Sequence, residues 1–152
     1  MVKMVEGDFF DSKAEVLIFP CNCSGSVKDD FTKKFKSKFE KYFESYSTAC
    51  SYGFIRIGKC LEYYTDMDCT YTSWVISLPC RKNGREIARI EDVIASLRDL
   101  KDLVGRLRVR HVAIPVFDIT VVNSDSIEDA IKSAFLELRD VKIEIYKIKT
   151  GV

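Results

Sequence analysis

One histidine, one tryptophan and three prolines in 152 residues leave this chain short of several kinds of chemistry. His111 stands alone, and Cys21 and Cys23 are the only closely spaced cysteines, so the His and Cys sets that hold structural zinc are missing. The other cysteines, Cys50, Cys60, Cys69 and Cys80, are too scattered for a metal knuckle. A disulfide frame belongs to small secreted chains, so free thiols, buried or half-buried, are the expected state. Charge of one sign is also lacking: 24 basic against 23 acidic residues give +1. Bulk electrostatics therefore recommends neither nucleic acid nor an acidic membrane as partner. No apolar run approaches the roughly 18–20 residues that span a bilayer. Met1 to Asp8 carries no charged segment followed by an apolar stretch, as a secretory signal would. The expected location is cytoplasmic, with no membrane contact and no metal or cofactor called for.

What is present is an ordinary globular composition, 47% hydrophobic and 31% charged, at the length of one domain. The periodicity alternates between strand and helix. Val2 to Val5 is a short β-rich run ending at Gly7-Asp8. Ala14 to Phe19 is almost continuously apolar, as a strand buried on both faces should be, and Pro20 is expected to stop it. From Asp29 to about Tyr46, Phe31, Phe35, Phe39 and Phe43 recur every four residues, which predicts one amphipathic helix. Its lysines read as a solvated face. Nucleic-acid contact through them competes, but phenylalanines on the buried stripe cannot also stack on bases.

Phe54 to Tyr64 reads as extended, and Thr72 to Leu78 as a strand closed by Pro79. A second helix is marked by Ile90, Val93, Ile94, Leu97, Leu100, Val104 and Leu107. A strand over Val109 to Phe117 follows. A third helix is capped at Ser124 or Ser126, and Val141 to Tyr146 closes the chain as a strand. Strands separated by helices require crossovers, hence an α/β fold with a mostly parallel sheet and helices on both faces. Such sheets bind ligands beyond the carboxyl ends of their strands. With no linker or repeat, residues 1–152 are expected to form a single domain.

Three segments carry a family resemblance. Met4-Val5-Glu6-Gly7-Asp8-Phe9-Phe10, followed by Ala14-Glu15-Val16-Leu17-Ile18, resembles the opening of macro domains. Cys21-Asn22-Cys23-Ser24-Gly25 is similar to their first ligand loop, and His111-Val112-Ala113-Ile114-Pro115 to the strand before the second. The order and spacing hold along almost the whole chain. Within the family it resembles the short, stand-alone branch of terminal ADP-ribose protein glycohydrolase and of the antitoxins that remove ADP-ribose from DNA. Phe35-Lys36-Ser37-Lys38-Phe39 is similar to the helix after that branch's first loop.

The resemblance implies a three-layer macro domain fold that recognises ADP-ribose, free or carried on protein or nucleic acid. It implies that Asp8 accepts a hydrogen bond from the adenine amine, with the Phe9 N–H beside it, and that Asn22 lies near the distal ribose. Ser24, Gly25, Ser26 and Val27 form the first phosphate loop, and Phe117, Asp118, Ile119 and Thr120 the second. Tyr146 covers the adenine. For each side chain a structural reading stands beside this one: a turn cap for Asp8, a loop anchor for Asn22, core packing for Tyr146. The glycohydrolase branch attacks the distal ribose with a lysine, whose position falls within Cys80-Arg81-Lys82; Lys82 is the candidate, with a solvated loop lysine as the alternative.

Two departures matter. Lys28-Asp29-Asp30 stands where relatives carry glycines, and no glycine occurs between Gly105 and Gly151. The branch's second-loop aspartate aligns with Val122 or Asn123, neither of which can activate water as a carboxylate does. The expectation is thus an ADP-ribose-recognising macro domain, with hydrolysis of an ADP-ribosyl bond left open. A macro fold with altered phosphate loops that binds without turnover is the alternative. No residue demands phosphatase action on ADP-ribose phosphate.

Overall fold

The computed structural model describes residues 1–66, 71–116 and 124–148. Six strands form one sheet: β1 (Val2–Val5), β2 (Val16–Asn22), β3 (Leu61–Tyr64), β4 (Trp74–Arg81), β5 (His111–Val116) and β6 (Lys142–Lys147). Their spatial order is β1-β6-β5-β2-β4-β3. All pairings are parallel except β3 with β4, which are antiparallel. The helices are α1 (Asp30–Lys38), α2 (Glu40–Ser51), α3 (Ile90–Leu107) and α4 (Ser124–Ala134), and a 3-10 turn covers Phe9–Asp11. The result is a three-layer α/β domain around a mostly parallel sheet, as the alternating pattern predicts.

The apolar strands feed two cores because successive side chains point to opposite faces. On β2, Val16 and Ile18 pack with Leu97, Leu100 and Val104 of α3 and Ile131 of α4. Leu17, Phe19 and Cys21 pack on the other face with Phe35 of α1 and Tyr42, Phe43 and Tyr46 of α2. That second core is an aromatic cluster: the Phe19 ring lies 4.6 Å from Phe35 and meets Tyr46 edge-on at 5.4 Å.

Three expectations are corrected. Strands β2 and β4 do not end at Pro20 and Pro79 but run on to Asn22 and Arg81. Each proline lies beyond the ladder with its strand's second neighbour: β5 pairs only with Val16 and Leu17, and β3 reaches only Ser77. On an open side a missing N–H removes no ladder bond. The phenylalanine-rich stretch is two helices, broken at Phe39 (φ −128°, ψ 61°). A four-residue repeat advances about 40° around a straight helix at each step. A single rod would carry the stripe off the sheet, and the break returns Phe43 to it. The bonds Phe39 N–H to Phe35 O and Phe43 N–H to Phe39 O bridge the break.

Candidate functional site

The carboxyl ends of β1, β2 and β4 bring three segments together on one side of the sheet. The most organised is the turn after β2, and its organiser is Asn22. Its side-chain oxygen accepts from the N–H groups of Ser24 (3.0 Å), Gly25 (2.8 Å) and Ser26 (3.1 Å). Its Nδ2 donates to the Ser26 carbonyl at 3.1 Å. From below, the Tyr46 hydroxyl donates to the Asn22 carbonyl at 2.7 Å. Asn22 is 4% exposed, so its amide is turned into the loop rather than out of it. Gly25 supplies the left-handed conformation the turn needs, with φ +81°.

The next N–H groups, of Val27, Lys28 and Asp29, make no hydrogen bond among the described residues. They lead into the N-terminus of α1, the favourable end for an anion. Asp29 caps that helix: its carboxylate accepts from the N–H and the hydroxyl of Thr32, both at 2.8 Å. Arg81, at the end of β4, lies 3.8 Å from the same carboxylate.

The turn after β4 forms one wall with this loop. The Cys23 N–H is shared between the carbonyls of Arg81 (3.0 Å) and Lys82 (3.2 Å). Gly84 sits so close to Ser26 that a Cβ there would fall 2.9 Å from the Ser26 Cβ. Asn83 holds the turn by accepting from the N–H groups of Arg85 and Glu86. Lys82 itself is exposed at the rim.

Asp8 follows β1. One carboxylate oxygen accepts from the Phe10 N–H at 2.9 Å, and the other from Lys34 Nζ at 3.3 Å. The Phe10 N–H, with Lys34 adding to it against slight burial, holds the Asp8 carboxyl below its usual range. Phe9 is fully buried, and Tyr146, 7% exposed at the end of β6, meets it edge-on at 5.9 Å. Both rings belong to the aromatic core. Phe117, Asp118, Ile119 and Thr120 lie outside the described residues, as do Val122 and Asn123.

The structure therefore gathers Asn22, Ser24 to Val27 and Lys82 along one rim, and it places Asp8, Phe9 and Tyr146 together at the ends of β1 and β6. Lys34, Tyr46 and Gly84 had no place in the sequence reading. An Asn-Gly pair is a turn signal that could have pointed to Gly84, and Tyr46 lies three residues after Phe43 on the helical stripe; nothing in the sequence ties Lys34 to Asp8. Beneath the rim, desolvation pushes the Cys21 thiol well up and the Cys80 thiol up to about 12, and raises Cys23 and Cys50 as well. These groups stay protonated near neutrality, which excludes thiolate nucleophiles there. On the opposite face of the sheet, a cavity of about 30 Å³ bounded by Leu78, Ile114, Val116 and Ile131 has room for water but not for a sugar.

A sheet of this order, with an aspartate turn after the first strand and an asparagine-anchored loop leading from the second strand into a helix, defines a macro domain. This chain is one. Along 99% of its length it is 28% identical to the DNA ADP-ribosyl glycohydrolase of Mycobacterium tuberculosis, of which the match spans 43%. The solved macrodomain of Mycobacterium tuberculosis DarG superposes with a TM-score of 0.92 at 26% identity, over 98% of this chain and 99% of that one. That of Thermus aquaticus DarG gives 0.88 at 25% identity, over 97% and 99%. No family model matches the chain. Among the described residues no helix is long and apolar enough to cross a membrane.

Proposed function

We propose that the chain recognises ADP-ribose and removes it from a modified nucleic acid, with DNA the foremost substrate and a modified protein the lesser one. The observation that carries this is full-length similarity to DarG macrodomains combined with the Asn22-anchored loop. The loop presents the N–H groups of Val27 to Asp29 at the head of α1, where a diphosphate finds donors and a favourable dipole. Asp8, with acceptor capacity left beyond its two bonds, suits the adenine amine. Phe9 supports this with an N–H that has no partner among the described residues, and Tyr146 backs that side of the pocket. Phe117, Asp118, Ile119 and Thr120 are proposed as further ligand-binding residues.

Lys82 is the proposed nucleophile toward the distal ribose, on the rim beside Arg81. Residues 1–152 are read as one such domain. Cys21, Cys23, Cys50, Cys60 and Cys80 are all free thiols, which suits the reducing cytoplasm.

A second reading, binding without turnover, is favoured by one feature: Val122 and Asn123 stand where the branch carries its aspartate. The deciding measurement pairs calorimetry of ADP-ribose with release of ADP-ribose from a modified oligonucleotide. Asp8→Ala should weaken binding, and Lys82→Ala should abolish release while leaving binding in place. No heat at millimolar ADP-ribose would remove the recognition reading. Binding with no release by the wild-type chain would establish the second.

A further inference from the structure

The turn between α2 and β3 carries a feature that folding does not explain. Tyr52 and Phe54 are 71% and 62% exposed, yet their rings lie parallel, 5.9 Å apart at 22°. Two aromatic rings in water on one short turn are an unfavourable use of apolar surface unless something covers them. The turn that presents them is firmly held. Tyr52 N–H bonds to Thr48 O and Phe54 N–H to Ala49 O, while Ile55 between the exposed residues is 2% exposed. Farther on, Gly58 N–H bonds to the Ser96 hydroxyl and Cys60 N–H to the Asp99 carboxylate, fastening the segment to α3.

The segment also lies against the candidate site. A Cβ on Gly25 would stand 3.5 Å from the Cys50 Cβ and 3.8 Å from its Sγ. Its charge is of one sign: residues 52–60 contain Arg56 and Lys59, both exposed, and no carboxylate. Neither cation has an ion-pair partner among the described residues.

We propose that Tyr52, Phe54, Arg56 and Lys59 form a docking platform for single-stranded nucleic acid, holding the strand beside the Asn22 loop. Stacking needs bases with open faces, which a single strand offers and a duplex does not. The two cations match its phosphates. A second copy of this chain fits less well, because pairing through the rings brings Arg56 and Lys59 of both copies together. The rings of α1 and α2 do not compete for this role, since Phe35 and Phe43 are buried. The platform's purpose rests on the proposed function, because it would retain the strand that carries the modified nucleotide.

The test is fluorescence anisotropy with an unmodified oligothymidylate of about 12 nucleotides, within the range one such surface covers. The wild-type chain should bind it, and two neutralised phosphates should weaken binding about sevenfold between about 50 and about 200 mM salt. Tyr52→Ala/Phe54→Ala should weaken it about fivefold or more per ring, and Tyr52→Phe/Phe54→Tyr should bind as wild type. Arg56→Gln should flatten the salt dependence. Equal binding by the alanine variant, or by a duplex of the same length, would overturn the platform. So would an aromatic-dependent dimer in sedimentation without strand binding. ADP-ribose calorimetry on the same proteins separates the two ideas: strand binding without ADP-ribose heat sinks the proposed function and leaves the platform.

Discussion

Replacing Asn22 with alanine removes the one side chain on which the first loop is built. Its oxygen accepts from three successive backbone N–H groups at 2.8–3.1 Å, and its amide nitrogen donates to the Ser26 carbonyl. Each such bond is worth about 1 kcal/mol net, with more lost where a donor is left without water. Ser24 is exposed, so water replaces its partner readily; Gly25 and Ser26 are half-buried, and theirs is replaced less well. The expected loss is about 2–3 kcal/mol, which for a domain of this size lowers Tm by roughly 5–10 °C. Urea unfolding at neutral pH reads the first number and a thermal scan the second. ADP-ribose affinity should fall further than stability alone accounts for, because the loop loses its preorganised shape. Asn22→Asp separates the causes: it keeps the acceptor for the three N–H groups but turns a carboxylate oxygen toward the Ser26 carbonyl where Nδ2 donated, so the loop keeps part of its hydrogen bonding while the charge repels a diphosphate. If Asn22→Ala unfolds within about 0.5 kcal/mol of wild type, the size of an ordinary surface change, the claim that this amide organises the loop is wrong.

Two further outcomes follow from the site. Gly84→Ala should push the turn after β4 away from Ser26, because the new Cβ meets backbone-attached carbon at 2.9 Å. ADP-ribose binding should weaken in calorimetry with a stability loss of about 1–3 kcal/mol, the range for overpacking; unchanged binding would mean that the two turns move independently. Stability should also fall in alkali. The buried Cys80 thiol is raised to about 12 from the ordinary 9.0. Its contribution is therefore complete below about pH 9 and is lost as pH rises toward 12, since the unfolded thiol ionises first. The slope is about 1.4 kcal/mol per pH unit for each such thiol. Urea midpoints from pH 8 to 11 should decline more steeply in the wild-type chain than in Cys80→Ala, and equal slopes would refute the assignment.

How much was legible beforehand depends on how local the signal is. The alternation of Val16 and Ile18 against Leu17 and Phe19 is a property of four neighbouring residues, and it told which chain segments are strands buried on both faces. The stripe from Ile90 to Leu107 likewise marked α3, and the order of elements with the Asp8 and Asn22 segments marked the macro domain. The split at Phe39 was not legible, because a four-residue phenylalanine repeat looks helical until it must follow a flat sheet. Nor was the passage of β2 and β4 through their prolines, which turns on where neighbouring strands end.

By itself, then, the sequence determined the succession of strands and helices, the two faces of the central strands and the residues available for a ligand loop, since each follows from spacing within one element. The tertiary structure alone decided that β3 runs antiparallel at the edge, that the Asn22 amide faces inward, that Gly84 abuts Ser26 and that Tyr52 and Phe54 stand in water beside the site. Those facts depend on which crossovers bring distant segments together, and a hydrogen bond or a steric contact between them leaves no periodic trace in either segment.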